Sequence, residues 1–244
     1  MENIEYSKLF IETVQNAFHT NTFVGFGNPE SKILLIGKEP SKSPREEDQT
    51  KIYEKTVLNN AKDWLYNIDN SDIAIPDCKD DLNISLFNPL IPFKGMMLCQ
   101  QKVGHTWRKY QKLHDYLFNA SSEYYNFHED FFISELNDKP SNTSKDANKE
   151  SIPSRISFIK HSAYFQNFKI VILACGPYLN TTLVEEIFGV NFVEQKGIPR
   201  QRYKIFRNVD SNKLVIHTRQ LSMDASNALL AGIAKEMIFV KNIK

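Results

Sequence analysis

The sequence predicts an α/β protein: a three-layer sandwich with a central, mostly parallel sheet of four to five strands flanked by helices. Three observations predict it. Short runs rich in Ile, Val, Leu and Phe recur at 32–37, 131–136, 170–174 and 213–216, and near-continuous apolar runs of that length suit strands buried on both faces. Stretches with an apolar period near 3.6 lie between them, and strands alternating with helices give parallel pairing. No internal repeat and no second core interrupts residues 1–244, so one domain is expected.

The elements follow in order. Ile4, Leu9, Phe10, Val14 and Phe18 share one face of a helix over 4–18. The turn at Gly25–Pro29 leads into strand 32–37, and Pro40 and Pro44 break the chain before a helix at 46–67. Glu46, Glu47 and Asp48 occupy its first turn, where negative charge favours the helix dipole. This helix belongs to an insertion at about 45–88 that includes the acidic, turn-rich stretch 69–83. Residues 88–95 are apolar but carry Pro89 and Pro92, which excludes a central strand; they should line something. A helix at 105–118, strand 131–136 and a polar, breaker-rich loop at 138–151 come next. A helix at 153–166 feeds strand 170–174, closed by Cys175-Gly176-Pro177, and a helix spans 178–188. Residues 200–207 alternate as a strand, 209–212 turn, and 213–216 form the last strand. Ser222 and Asp224 are the expected caps of a C-terminal helix reaching about 240.

Composition narrows the function classes. The chain is 41% hydrophobic and 24% charged, as expected of a globular protein in water. No apolar stretch approaches the roughly 20 residues that span a bilayer. The opening Met-Glu-Asn-Ile-Glu has neither the basic patch nor the apolar core of a secretory signal, so a cytoplasmic protein is expected. Cys78, Cys99 and Cys175 are far apart, and the six histidines show no HxxxH or HExxH spacing. Neither a disulfide framework, a zinc site nor any other cofactor is expected. With a formal charge of +1, a nucleic-acid partner would require a local basic surface.

In an open α/β sheet, ligands bind beyond the carboxyl ends of strands. Gly37-Lys38-Glu39-Pro40 follows the first strand, and His217-Thr218-Arg219-Gln220-Leu221-Ser222 follows the last. One segment supplies a carboxylate and the other an imidazole, a pairing suited to a transition state with separated charge. Each residue also has an ordinary role: a strand-end carboxylate caps or pairs, a lone histidine hydrogen-bonds, and an Asn closing a strand turns the chain.

The combination resembles the uracil-DNA glycosylase superfamily, whose members carry a Gly-X-[Asp/Asn/Ala/Glu]-Pro loop after the first strand and a His-Pro-Ser-Pro-Leu-Ser-like loop before the final helix. Gly37, Lys38, Glu39 and Pro40 have the first shape, and His217, Leu221 and Ser222 match the second, with Thr218, Arg219 and Gln220 replacing its middle. Pro92-Phe93 looks like the family's Pro-Phe pair, and Asn137 like its base-reading Asn. The resemblance implies that Glu39 steadies an oxocarbenium-like sugar and orients water. It implies that a neutral His217 donates to the departing base, that Asn137 reads the base edge, and that Phe93 (or Phe87) stacks on the base. Core packing is the ordinary alternative for either Phe. Leu221 would act as an apolar wedge into the vacated base position, with Arg219 and Gln220 on phosphate or the orphaned partner base.

Lys196, Arg200, Arg202, Lys204 and Arg207 are interleaved with Tyr203 and Phe206. Arg200, Arg202 and Lys204 alternate, so they would project from one strand face toward DNA, or else guard an edge strand. Lys102, Arg108, Lys109 and Lys112, beside Gly104 and Trp107, form a second basic face. The expected protein is a monomeric, metal-free DNA glycosylase-like hydrolase excising uracil or a related damaged base. The alternatives are a catalytically weak nucleic-acid-binding protein on the same fold, or an α/β enzyme of small nucleotides. The last is disfavoured by the absence of a GxGxxG or GxxxxGK[ST] loop.

Overall fold

The computed structural model describes residues 4–40, 47–70, 88–92, 105–141, 145 and 147–240. The four apolar runs become strands β2 (Ile33–Gly37), β3 (Phe131–Glu135), β4 (Ile170–Leu173) and β7 (Leu214–Thr218). They pair in parallel in the order β3-β2-β4-β7, with Leu35 opposite Ile133 and Ile172, and Ile172 opposite Ile216. Antiparallel strands extend both sides: β1 (Phe26–Gly27) on β3, then β6 (Gln201–Arg207) on β7 and β5 (Asn191–Ile198) on β6. The result is one mixed sheet of seven strands, larger than the four to five expected.

Strand alternation sends successive side chains to opposite faces. Leu34 and Ile36 enter one core, Ile33 and Leu35 the other. The first core is closed by helices α1 (Lys8–His19), α2 (Glu47–Asp69), α4 (Ile152–His161), α5 (Ala163–Asn167) and α6 (Thr181–Phe188). The second is closed by α3 (His105–Phe118) and α7 (Asn227–Ile238), through residues such as Leu113, Leu117, Leu230 and Ile233. No helix among the described residues is long and apolar enough to cross a membrane.

Several expectations are corrected. The helix expected at 153–166 is two, because Ser162 adopts an extended backbone and its Oγ accepts from the Phe165 amide to start α5. The C-terminal helix begins later: Ser226, not Ser222 or Asp224, is the N-cap, its Oγ accepting from the Leu229 amide at 3.1 Å. Residues 222–225 form a preceding turn closed by the Ala225 amide on the Ser222 carbonyl. Strand β6 is interior to the sheet; the exposed β5 is the edge, and Arg200 lies in the hairpin turn between them with φ 67°. Only Arg202 and Lys204 therefore share a face of β6.

The helix of the expected insertion is built into the core. Trp64 is fully buried and its Nε1 donates to the Gly25 carbonyl at 2.8 Å. Asn60 accepts from the Val24 and Gly25 amides and donates back to the Gly25 carbonyl. Asn88, Pro89, Leu90 and Pro92 are buried, and the Pro89 carbonyl accepts from the Gly27 amide, so this proline-bearing turn seals the β1 edge. Phe87, Phe93 and the acidic stretch from 71 lie outside the described residues.

Candidate functional site at the strand carboxyl ends

Parallel pairing brings the ends of β2, β3, β4 and β7 to one edge of the sheet. The chain leaves β2 toward β3 on one side and leaves β4 toward β7 on the other, so the topological switch point lies between β2 and β4. The ladder continues past the strands: the Leu136 amide donates to Gly37, Asn137 to Lys38, and Ala174 to Ile36. These bonds fix the loops after β2, β3 and β4 side by side.

Glu39 is buried, with 9% of its surface exposed. The nearest carboxyl chemistry comes from a residue that the sequence did not single out. Glu135 closes β3 opposite Gly37, and a Cβ on Gly37 would lie 2.2 Å from Glu135 Oε2. The glycine is therefore what leaves room for the carboxyl. Glu135 Oε2 is buried without a hydrogen-bond partner among the described residues. Burial, and secondly the charge of Glu39, push the Glu135 pKa up to about 8, against an opposing pull from Arg155. Arg155 is itself buried and donates to the Glu135 carbonyl from Nε and Nη2, to Ser134 Oγ at 2.9 Å, and to the Phe23 carbonyl. At neutral pH this corner holds a mostly protonated Glu135 beside Glu39. A buried carboxyl whose pKa is raised by burial and by a neighbouring charge is a frequent mark of acid–base sites.

His217 lies within β7 rather than after it, opposite Leu173 and Lys204. Its Nε2 sits 2.8 Å from the Gly176 carbonyl oxygen. A carbonyl only accepts, so Nε2 carries the proton and Nδ1 is the bare nitrogen of the neutral ring. Burial, which outweighs the Gly176 bond, lowers the His217 pKa, and Lys204 adds to the lowering. The imidazole is thus neutral, as the expected chemistry requires, but its N–H is engaged by the loop after β4. Glu39 and His217 issue from strands separated by β4 alone, which places their strand axes roughly 10 Å apart.

The remaining expected residues have distinct placements. Asn137 is fully buried. Its Nδ2 donates to the Asn148 carbonyl at 2.8 Å, and its Oδ1 accepts from the Lys139 amide and Ser151 Oγ. It anchors the 138–151 loop. The Pro40 carbonyl receives the Ser141 amide of that loop. Lys38 reaches across the switch point, with Nζ 5.0 Å from the centre of the Tyr178 ring.

In the last loop, Arg219 donates to the Arg200 carbonyl and pairs with Asp224, tying the β5–β6 turn to the end of β7. Gln220 and Ser222 are half-buried. Leu221 does not project as a wedge: it is 0% exposed and packs in the second core, because the turn folds back onto α7. The exposed apolar side chain of that turn is Met223. On the basic strand, Arg202 is exposed and Lys204 donates to Thr181 Oγ1. Trp107 packs 5.3 Å from Phe127, and Lys109 donates to the Ala225 carbonyl, so much of that helix face serves packing.

Among the described residues no group of three or more His, Cys, Asp or Glu side chains is arranged to hold a metal ion. A cleft of about 870 Å³ lies at the opposite end of the sheet, where strands begin, lined by residues including Lys32, Lys169, Arg207 and Phe239. Glu135, perturbed first by burial and then by the charge of Glu39, is at the carboxyl end instead, beside the buried Glu39 and His217, and on that ground the carboxyl end is the stronger candidate. Sequence patterns flagged neither Glu135 nor Arg155. The one available signal was a charged residue closing an otherwise apolar run, Phe131-Phe132-Ile133-Ser134-Glu135. Comparison with known families finds no family model that matches this chain, and comparison with curated proteins finds no matching sequence.

Proposed function

We propose that this protein is a DNA glycosylase-like hydrolase, a divergent relative of the uracil-DNA glycosylases on a three-layer α/β sandwich. It acts as a cytoplasmic, single-domain monomer without a metal and removes uracil or a related damaged base. The observation that carries this reading is the convergence of a buried carboxylate, Glu39, and a neutral imidazole, His217, at one end of a parallel block, on either side of β4.

In the proposed reaction the bond between C1′ of the sugar and the base nitrogen breaks, and its electron pair leaves with the base. Glu39 steadies the cationic sugar and takes a proton from the water that adds to C1′. Glu135, protonated beside it, adds no second negative charge to the site. His217 Nε2–H exchanges the Gly176 carbonyl for the oxygen of the departing base, which it steadies as an anion. One such donor supplies about 3–4 kcal/mol of barrier lowering. Base selection falls to the loops around the switch point, with Phe93 as the stacking ring and Asn137 the proposed reader once released from Asn148.

A second reading is favoured by one observation: the polar ends of His217 and Asn137 are both already engaged, on Gly176 and on Asn148. A protein that binds nucleic acid without cutting it would keep these bonds. Incubation with labelled single- and double-stranded oligonucleotides containing uracil separates the two. Release of free base supports the hydrolase; binding without release across a panel of damaged bases supports the second reading.

A further inference from the structure

The cleft of about 870 Å³ at the amino end of the sheet faces away from Glu39 and His217. It crosses the sheet edge from one helical layer to the other. Leu9 of α1 and Phe168, just after α5, line one side; Phe239 and Val240, just after α7, line the other. Pockets for small ligands have this volume and this largely apolar wall. Two of the apolar side chains remain in solvent, Leu9 at 36% and Phe239 at 66% exposure. They gain from any ligand that covers them with an apolar body.

The wall's neutral polar groups are spent on the protein itself. Tyr164 Oη donates to the Pro29 carbonyl at 2.9 Å, and Ser31 Oγ accepts from the Ile33 amide and donates to the Asp130 carbonyl. Charge is what the wall still offers. Lys169 precedes β4 and Arg207 ends β6; both line the cleft, as does Lys32 before β2. Ile170 pairs with Leu214, and Leu214 with Arg207, so the Lys169 and Arg207 backbones stand about two strand spacings, or 10 Å, apart. Long side chains close that span on one small anion. Among the described residues neither Lys169 nor Arg207 lies within ion-pair distance of a carboxylate. Lys169 also helps burial to lower the pKa of the neighbouring Lys213, to about 8, a sign of positive charge crowded here. Glu30 is the one carboxylate among the described residues of the wall, and it accepts from the Ser7 amide at 2.9 Å.

We propose that this cleft binds a small amphipathic carboxylate, its head held by Lys169 and Arg207 and its alkyl body laid against Leu9 and Phe239. A neutral lipid would leave the two cations without an anion, and a bare inorganic anion would leave the apolar wall wet. The guanidinium fork of Arg207 matches a carboxylate in two parallel hydrogen bonds. Glu30 repels a doubly charged head, which favours a carboxylate over a phosphate. The site goes beyond the hydrolase reading and stands or falls apart from it.

The test is a titration of isotope-labelled protein with octanoate, followed by amide chemical shifts. Saturable shifts are expected at Leu9, Ile170 and Val240, with the amides of Glu39 and His217 unmoved. Octanol, which lacks the charge, and acetate, which lacks the body, should each bind more weakly by about fivefold or more. Lys169→Gln and Arg207→Gln should each weaken octanoate about fivefold and leave octanol unchanged. Phe239→Ala should weaken both ligands. Exposed Lys160→Gln on α4 serves as the control and should change neither. Octanol binding as tightly as octanoate overturns the cationic head site, and so does unchanged octanoate affinity in the Lys169→Gln, Arg207→Gln double variant with its thermal melt intact. Octyl phosphate binding more tightly than octanoate overturns the carboxylate as head group. Absence of any saturable shift at the cleft overturns the site altogether, whether or not uracil is released in the oligonucleotide assay.

Discussion

Nε2 of His217 donates to the carbonyl oxygen of Gly176 across 2.8 Å, joining the end of β7 to the loop that follows β4. The imidazole is therefore a strut between two strand ends as well as the proposed donor to a leaving base. Replacing it by Ala leaves the Gly176 carbonyl without its partner, at a cost of about 1–3 kcal/mol in stability. Loss of the transition-state donor should separately slow base release by about 100- to 1000-fold. Urea denaturation and single-turnover release, measured on the same His217→Ala preparation, check the two effects.

Gly37 and Glu135 give a second prediction. A Cβ at position 37 would collide with the Glu135 carboxyl at 2.2 Å, yet the glycine has no left-handed backbone to lose. Gly37→Ala should destabilise by about 1–3 kcal/mol through overpacking. In a Glu135→Ala background the same change should cost little. A double-mutant cycle in urea reads the difference as coupling between the two positions.

The strands were legible because β2, β3, β4 and β7 are buried on both faces, which forces continuous apolar runs that no other element of that length produces. Helices α1 and α3 were legible from their period. Strand β5 was not, since seven of its eight residues are exposed and neither face selects a pattern. The break at Ser162 escaped notice because a Ser inside an apolar period is tolerated until its hydroxyl caps a new start. Glu39 and His217 were singled out as candidates by their position after apolar runs. Glu135 and Arg155 become partners only through the crossing of α4 over the sheet, a long-range contact without a local signature. Leu221 was misplaced for the same reason: a loop leucine looks exposed until the turn is seen to fold onto α7.

Glu135 makes stability depend on pH in a defined direction. Its pKa is raised from 4.5 to about 8 in the fold, so between those values the folded state holds the extra proton. Stability therefore falls as pH rises through this window and stays low above about 8. Glu135→Gln, which keeps the shape without the charge, should be more stable than the parent at pH 9. The advantage should shrink toward pH 5. Thermal melts across pH 5–9 measure it.

His128 works in the opposite sense. It is buried, and its pKa is lowered from 6.5 to about 4, first by burial and then by His114. The unfolded chain binds the proton first, so stability present above pH 6.5 is lost as pH falls toward 4. The loss amounts to about 3 kcal/mol. Replacement by Gln, with no group titrating there, should flatten this acid limb of the melting curve.

Release of free base from a labelled uracil oligonucleotide under single-turnover conditions, with Glu39→Gln compared against the parent protein, decides whether Glu39 and His217 break a sugar–base bond. The parent should release base, and the variant should lose at least about 100-fold in rate at undiminished oligonucleotide affinity. Equal rates in the two proteins, or no release by the parent from any deaminated base, would contradict that chemistry.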